Sequence, residues 1–331
     1  MSIPQVGTSP GPLHDGRRRA AQCLLVLSPP APLLHRPAGL DLLLLAVGVL
    51  GVSVAAPVAG ATLAPALAVA FWRTAAGAAF YLPAGVRGLR ARRAAVGPLS
   101  RGTVRAVLWS GALLGLHFML WIPSLRLTSV TASTALVTTT PLWVVLIQRL
   151  RGRPVSRRVL TGVLVAFGGV VLVTGVDATV SATALLGDAM ALAGGAAAAG
   201  YSLTAETARR EMSTSSYSAV ANSVCAVLTL VVCLSLGVQL LGFSTRTWTE
   251  VAVIAVCSQI VGHALLNRAI LRAGTTTVTL AILLETPTAS LIAWVWLGDV
   301  PPLLVLPGAV LVLAGLAVVV TARRQPSESP A

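Results

Sequence analysis

Ten apolar runs, each close to twenty residues long, fill the chain between residues 40 and 322. A helix rises about 1.5 Å per residue, so each run matches the ~30 Å of hydrocarbon in a bilayer. The spans are expected at 40–60, 63–86, 103–124, 127–149, 158–176, 183–204, 217–241, 248–271, 274–297 and 302–322. Hydrocarbon offers no water to backbone N–H and C=O groups, so only helices or closed barrels cross it, and runs of this length select helices. Charged residues are 10% of the chain, against about a quarter in soluble domains. The expectation is an all-α polytopic membrane protein. Pro57 and Pro65 interrupt the first two spans, which membranes tolerate where the break faces protein or a cavity. Residues 1–37, rich in Pro, Gly and Arg, and residues 323–331 are expected as cytoplasmic tails.

The net charge of +14 comes from 24 basic residues, all of them arginine. They do not suggest nucleic acid, because almost all sit in short loops, where basic charge reports topology. Twenty lie in the tails and even-numbered loops, and two, Arg126 and Arg246, lie on the opposite side. Arg73 and Arg268 fall inside spans. Both termini are therefore expected in the cytoplasm. Cys23, Cys225, Cys233 and Cys257 have no metal-ligand spacing. No metal or other cofactor is expected.

The two halves repeat at an offset of 146 residues: His117 matches His263, Leu120 matches Leu266, and Pro141 matches Pro287. Gly152, Gly162 and Gly169 match Gly298, Gly308 and Gly315. Each half holds five spans, and an odd number forces opposite orientations. The expected architecture is two inverted five-helix repeats, at 40–176 and 183–322, as in many secondary transporters.

Several motifs resemble one family. They are Phe71-Trp72-Arg73 in span 2, the Thr/Ser-rich starts of spans 4 and 9, and Pro141 and Pro287. Leu297-Gly298-Asp299, the glycines of spans 5 and 10, and Gly262-His263 with Asn267 and Glu285-Thr286-Pro287 complete the set. Over nearly the whole chain, this resembles two EamA repeats of the drug/metabolite transporter superfamily. The acid usual after span 4 is Arg153 here, and after span 9 it is Asp299 rather than Glu. The resemblance implies a bacterial cytoplasmic membrane protein that exports or imports a metabolite or drug, coupled to ions or exchange. It also implies a cavity lined by spans 1, 3, 4, 6, 8 and 9.

Polar groups inside spans are candidate functional residues by default. Glu285 lies 11 residues into span 9, about 16 Å deep. A charged carboxylate is expensive there, so it is expected neutral or paired, either as a proton carrier or as a structural group. His263 lies about 12 Å deep in span 8, at a depth similar to Glu285, and His117 is its repeat mate. Each histidine can line a cavity or simply bond a backbone carbonyl. Arg73 can clamp a substrate carboxylate with its planar fork, pair with Glu285 or Glu206, or anchor a helix end. Arg268 is expected to snorkel. Thr131, Thr134 and Thr138 share one helical face, where helix packing is the simpler role. Trp121, Trp143, Trp294 and Trp296 suit either stacking on a substrate or an interfacial belt. Tyr201, Asn222, Gln259 and Asn267 are further polar candidates.

No catalytic signature is present: no Walker A loop, no helical zinc-ligand pair and no Gly-x-Ser-x-Gly. The expected function is secondary transport of a small polar or amphipathic metabolite, with a proton or an exchange substrate as partner. An intramembrane enzyme using Glu285 and His263, or a non-transporting receptor or assembly subunit, stays open. So does the oligomeric state. The arginine distribution makes a direct prediction. A reporter fused after Arg324 should read cytoplasmic and one placed near Asp177 should read from the other side; the same side for both would break the span count.

Overall fold

The computed structural model describes residues 39–152, 154–266 and 281–322. All regular structure among them is helical. The elements are α1 (Gly39–Ser53), α2 (Ala55–Ala61), α3 (Ala66–Val96), α4 (Arg101–Ser124), α5 (Val130–Val137) and α6 (Thr140–Leu150). They continue with α7 (Arg157–Val180), α8 (Ala182–Ala208), α9 (Thr214–Ser235) and α10 (Thr245–Val253). A π-helical stretch (Ile254–Gly262) extends α10; then come α11 (Glu285–Ile292), a second π stretch (Ala293–Leu297) and α12 (Val305–Ala322). Seven helical runs among the described residues are long and apolar enough to cross a membrane.

The helix starts are written into the sequence. Ser100, Ser129, Ser181, Ser213 and Ser244 each precede a helix, and each hydroxyl accepts the amide three residues on. A cap of this kind contributes about 1 kcal/mol by satisfying an orphan donor. The structure differs from the sequence reading inside two spans. Span 1 breaks at Val54 into α1 and α2, and span 4 breaks at Thr138–Thr139 into α5 and α6. Pro141 sits in the first turn of α6, a position whose helical geometry suits proline.

The orientation of the halves shows in how equivalent helices meet. A Cβ on Gly162 would approach the Gly315 carbonyl oxygen to 2.7 Å, and one on Gly169 would approach that of Gly308 to 2.6 Å. As the number rises along α7 it falls along α12, so these repeat-equivalent helices run antiparallel. The same holds for α3 and α9, where Gly77 faces Asn222 and Gly85 faces Ala219. Two contacts between non-equivalent helices correspond to each other across the repeat: α4 meets α8 at Gly194, near Trp121, and span 8 meets α1 at Gly48, near Leu266. Small residues let backbones approach closely, which is how membrane helices gain packing without a hydrophobic drive.

The core is unevenly distributed. In the arginine-poor half, Val58, Val69, Ile122, Val130, Ile254 and Ala289 belong to one buried cluster drawn from spans 1, 2, 3, 4, 8 and 9. Toward the arginine-rich ends the packing separates. Spans 2, 3, 6 and 7 pack around Val107, Ala208 and Tyr217, spans 4, 5 and 10 around Val145, Val159 and Val319, and spans 1, 8 and 9 around Val49 and Leu266. The six-span cluster plugs the arginine-poor half, beside a second cluster in which Val173, Ala191 and Val305 join spans 4, 5, 6, 9 and 10; the other half is divided into bundles.

Polar ties hold the ends. In the arginine-poor loops, Arg126 Nη2 donates to the carbonyls of Thr62, at 3.0 Å, and Ala64, closing the end of α2. On the other side Glu211 joins two loops: its Oε2 is 2.9 Å from Arg92 Nη2, and its Oε1 accepts the Ser100 hydroxyl at 2.6 Å. Ser100's hydroxyl and amide, then Thr103 and Arg92, hold the Glu211 carboxyl down to about 2.

The α7–α12 crossing yields a paired prediction. Gly169→Ala should lower the thermal midpoint of the purified protein, since overpacking costs on the order of 1–3 kcal/mol. Gly168→Ala, with open space at that position, should leave the midpoint unchanged or slightly raised, because Ala favours helix. Equal effects at the two positions would contradict the close crossing.

Candidate functional site

Between the plug and the divided half lies a cavity of ≈ 430 Å³. Arg73, His117, Trp121, Thr138, Tyr201, His263 and Glu285 all line it. Asn222 and Gln259 join them there, whereas Asn267 and Arg268 lie outside the described residues. The lining differs from the expectation in one respect. Spans 2 and 7 contribute as well, through Arg73 and Tyr81 and through Tyr217 and Asn222.

Arg73 is the most constrained group. It is 2% exposed. Its Nε donates to Gln259 Oε1 at 3.3 Å, and its Nη2 donates to the same oxygen at 3.0 Å and to Ser258 Oγ at 3.2 Å. One face of the guanidinium lies over Phe118, 4.2 Å from the ring centre. Nη1 has no hydrogen-bond partner among the described residues. None of the ion pairs among the described residues involves Arg73. The alternative pairing with Glu206 is corrected: Glu206 is 3.7 Å from Arg210 on the surface. Gln259 is itself held, since its Nε2 donates to Asn222 Oδ1 at 2.9 Å, and Asn222 Nδ2 donates to the Ser218 carbonyl at 2.8 Å.

The backbone explains why Ser258 and Gln259 can reach Arg73. Both sit in the π-helical stretch of span 8. A π turn widens the helix and re-aims its side chains, and such turns recur at functional sites. Periodicity in the sequence gives no sign of it.

His117 combines the two roles considered for it. Its Nδ1 donates to the Gly194 carbonyl at 3.0 Å, so in the neutral ring Nε2 is an acceptor. The ring also stacks on Trp121, 5.7 Å between centres. His263 lines the cavity without a bond of that kind. No hydrogen bond or ion pair joins His263 to Glu285 among the described residues.

Glu285 does not sit inside a continuous helix as the residue count assumed. The chain turns at Leu283–Leu284, and Glu285 opens α11. The break lies close to the one in span 4, once the repeat offset is applied. Pro141 and Pro287 have no N–H to give the carbonyls four residues earlier, those of Val137 and Leu283. Both of those residues line the cavity. Broken helices whose halves meet at the centre of the bundle are the usual way inverted repeats build a substrate site.

The remaining candidates separate by position. Thr131 is buried and donates to Ser290 at 2.8 Å, tying span 4 to span 9. Thr134 bonds its own helix at Val130. Only Thr138 of that face reaches the cavity. Trp294 and Trp296 are more than half exposed on the outside of the bundle, whereas Trp121 is buried with no partner for its Nε1.

The EamA-like transporter family matches residues 38–175 and 185–321, one match for each half. No curated protein matches the chain. Sixteen solved chains match it. One, described only as "Crystal structure of protein", is 19% identical with a TM-score of 0.58, covering 86% of this chain and 98% of that one. At that identity the likeness speaks for the fold alone.

The site leads to a prediction for Arg73. Arg73→Lys keeps the charge but loses the planar fork that spans Ser258 and Gln259. Substrate affinity should fall by roughly 10- to 100-fold, since a charge-assisted hydrogen bond contributes about 1.5–3 kcal/mol. Unchanged uptake by a folded Lys variant would leave Arg73 with a generic charge role.

Proposed function

The chain belongs to the EamA-like transporter family, and from that premise we propose that it is a secondary active transporter of a small polar or amphipathic metabolite, working by alternating access. The observation that carries the proposal is the central cavity with one plugged side. Its polar groups come from both repeats, and the helices around it separate into bundles toward the arginine-rich ends. If those ends face the cytoplasm, as the arginine bias indicates, this conformation is open inward. Rocking the bundles about the antiparallel repeat pairs would open the plug and close the other side. Loading from the cytoplasm suits an exporter.

Glu285 is the proposed coupling group. It is a carboxyl in the cavity, at the first turn of a broken helix, and Arg73 and two histidines share that cavity. A carboxyl so placed can alternate between a protonated state and a charge-paired state, and substrate or conformation can decide which. The intramembrane-enzyme alternative needs His263 and Glu285 to act as a pair, and general acid–base work needs hydrogen-bond reach. The geometry offers no such bond.

Glu285→Gln imitates the protonated state. The variant should fold, still exchange labelled substrate across a liposome, and lose accumulation driven by a pH gradient. Full gradient-driven accumulation by the Gln variant would remove Glu285 from the coupling role.

A further inference from the structure

Among the described residues Arg73 is a buried cation in no ion pair, although the Glu285 carboxyl shares its cavity. Two of its three nitrogens are committed, Nε and Nη2, and one face is covered by Phe118. Among the described residues Nη1 keeps two N–H groups with no acceptor. A second buried donor, Trp121 Nε1, is likewise unpartnered among them, and its residue lines the same cavity. Buried donors are almost always satisfied in folded proteins, and an unpaired buried charge is strongly destabilising. The cavity that both residues line is where acceptors can arrive.

Two features fix the chemistry of the occupant. The first is that Gln259 and Asn222 are neutral. A glutamate at 259 would neutralise the guanidinium; the amide holds it in place and leaves its charge available. Asn222 Oδ1 accepts from Gln259 Nε2, which turns the Gln259 oxygen toward Arg73. The second is aromatic. The chain has three tyrosines, and Tyr81, Tyr201 and Tyr217 all line this cavity, with Phe118 and Trp121.

We infer that the cavity recognises an organic anion, a carboxylate carried on a flat aromatic body, and that Asn222 and Gln259 are positioning residues presenting the free edge of Arg73 to it. The inference rests on the transport reading for the direction of movement only. The carboxylate accepts from Arg73 Nη1, and the aromatic body lies among the rings. Repeat symmetry does not double this site, because the position equivalent to Arg73 is Ala219 and the one equivalent to Gln259 is Leu113. The ligand therefore has one anion-binding end.

The test is binding to the purified full-length protein in lipid nanodiscs, measured by titration calorimetry. The probes are 3-phenylpropionate, its neutral amide, 2-phenylethylamine and hexanoate. Wild type should bind the aryl carboxylate at least about tenfold tighter than the amide, the amine or the aliphatic acid. Gln259→Glu keeps the hydrogen bonds to Arg73 but supplies a counter-charge. It should bring the carboxylate-to-amide ratio close to one, whereas a merely structural role for Gln259 would leave that ratio unchanged. Asn222→Leu, which frees Gln259 to rotate, should lower the ratio in the same direction and covers the case where the Glu variant does not fold. Equal affinity for the amide, tighter binding of the amine, hexanoate binding as well as phenylpropionate, or a ratio that survives both variants would overturn the inference. Liposome counterflow separates it from the transport reading. Selective binding without flux would sink transport and leave the anion site standing, and flux of other solutes with no carboxylate preference would do the reverse.

Discussion

Close antiparallel contact between repeat-equivalent helices is the constraint on which the rest of this structure depends. Lipid tails are as apolar as leucine, so helices do not associate to escape water; they associate where backbones can touch. Gly162 against Gly315 and Gly169 against Gly308 give that contact between α7 and α12, and Gly77 and Gly85 give it between α3 and α9. The two α7–α12 contacts map onto each other when the halves are exchanged, so that pair presents the same glycine surface in both orientations and suits a pivot. The α3–α9 contact is one-sided, because the positions equivalent to Gly77 and Gly85 are Ser223 and Val231. The space left between the pairs is the cavity.

That symmetric scaffold holds an asymmetric site. Arg73 comes from the first half, and its partners Ser258 and Gln259 come from the second. Glu285 sits where the first half has Thr139. The helices repeat between the halves, but the charges do not. An unbroken twofold would offer two equivalent ligand poses and no means to couple a proton to one of them. Placing one cation and one carboxyl in a pseudo-symmetric cavity removes that degeneracy.

The sequence made some of this readable and hid the rest for definite reasons. The spans, the repeat and the loop arginines are periodic or compositional, and they survive without knowledge of contacts. The family resemblance rests on the same features, and the family match covers both halves. Membership of the cavity followed from a simple rule: polar groups in apolar spans must face inward. What could not be read was pairing. Arg73 and Gln259 are 186 residues apart, and the π stretch that brings Gln259 round leaves no periodic trace. Glu285 was placed by counting along a straight helix, and the chain turns just before it. The tryptophans were ambiguous because one side chain serves both the belt and the cavity; only burial separates Trp121 from Trp294 and Trp296.

The two broken spans join the scaffold to the site. A proline in mid-span leaves a carbonyl without its helical partner, and in hydrocarbon that carbonyl needs another. At Val137 the Thr140 hydroxyl supplies a bond of 3.1 Å. The equivalent hydroxyl in the second half, Thr286 Oγ1, is buried and makes no bond among the described residues. The first break is thus closed on itself, and the second is left with an unused donor beside Glu285. A break that is already satisfied is a fixed part of the wall. A break with spare bonding capacity can rearrange at small cost, which is what a segment must do if it is to change its pairing between two conformations. The difference between the two breaks makes span 9 the better candidate for such a segment, next to the carboxyl proposed to carry the proton.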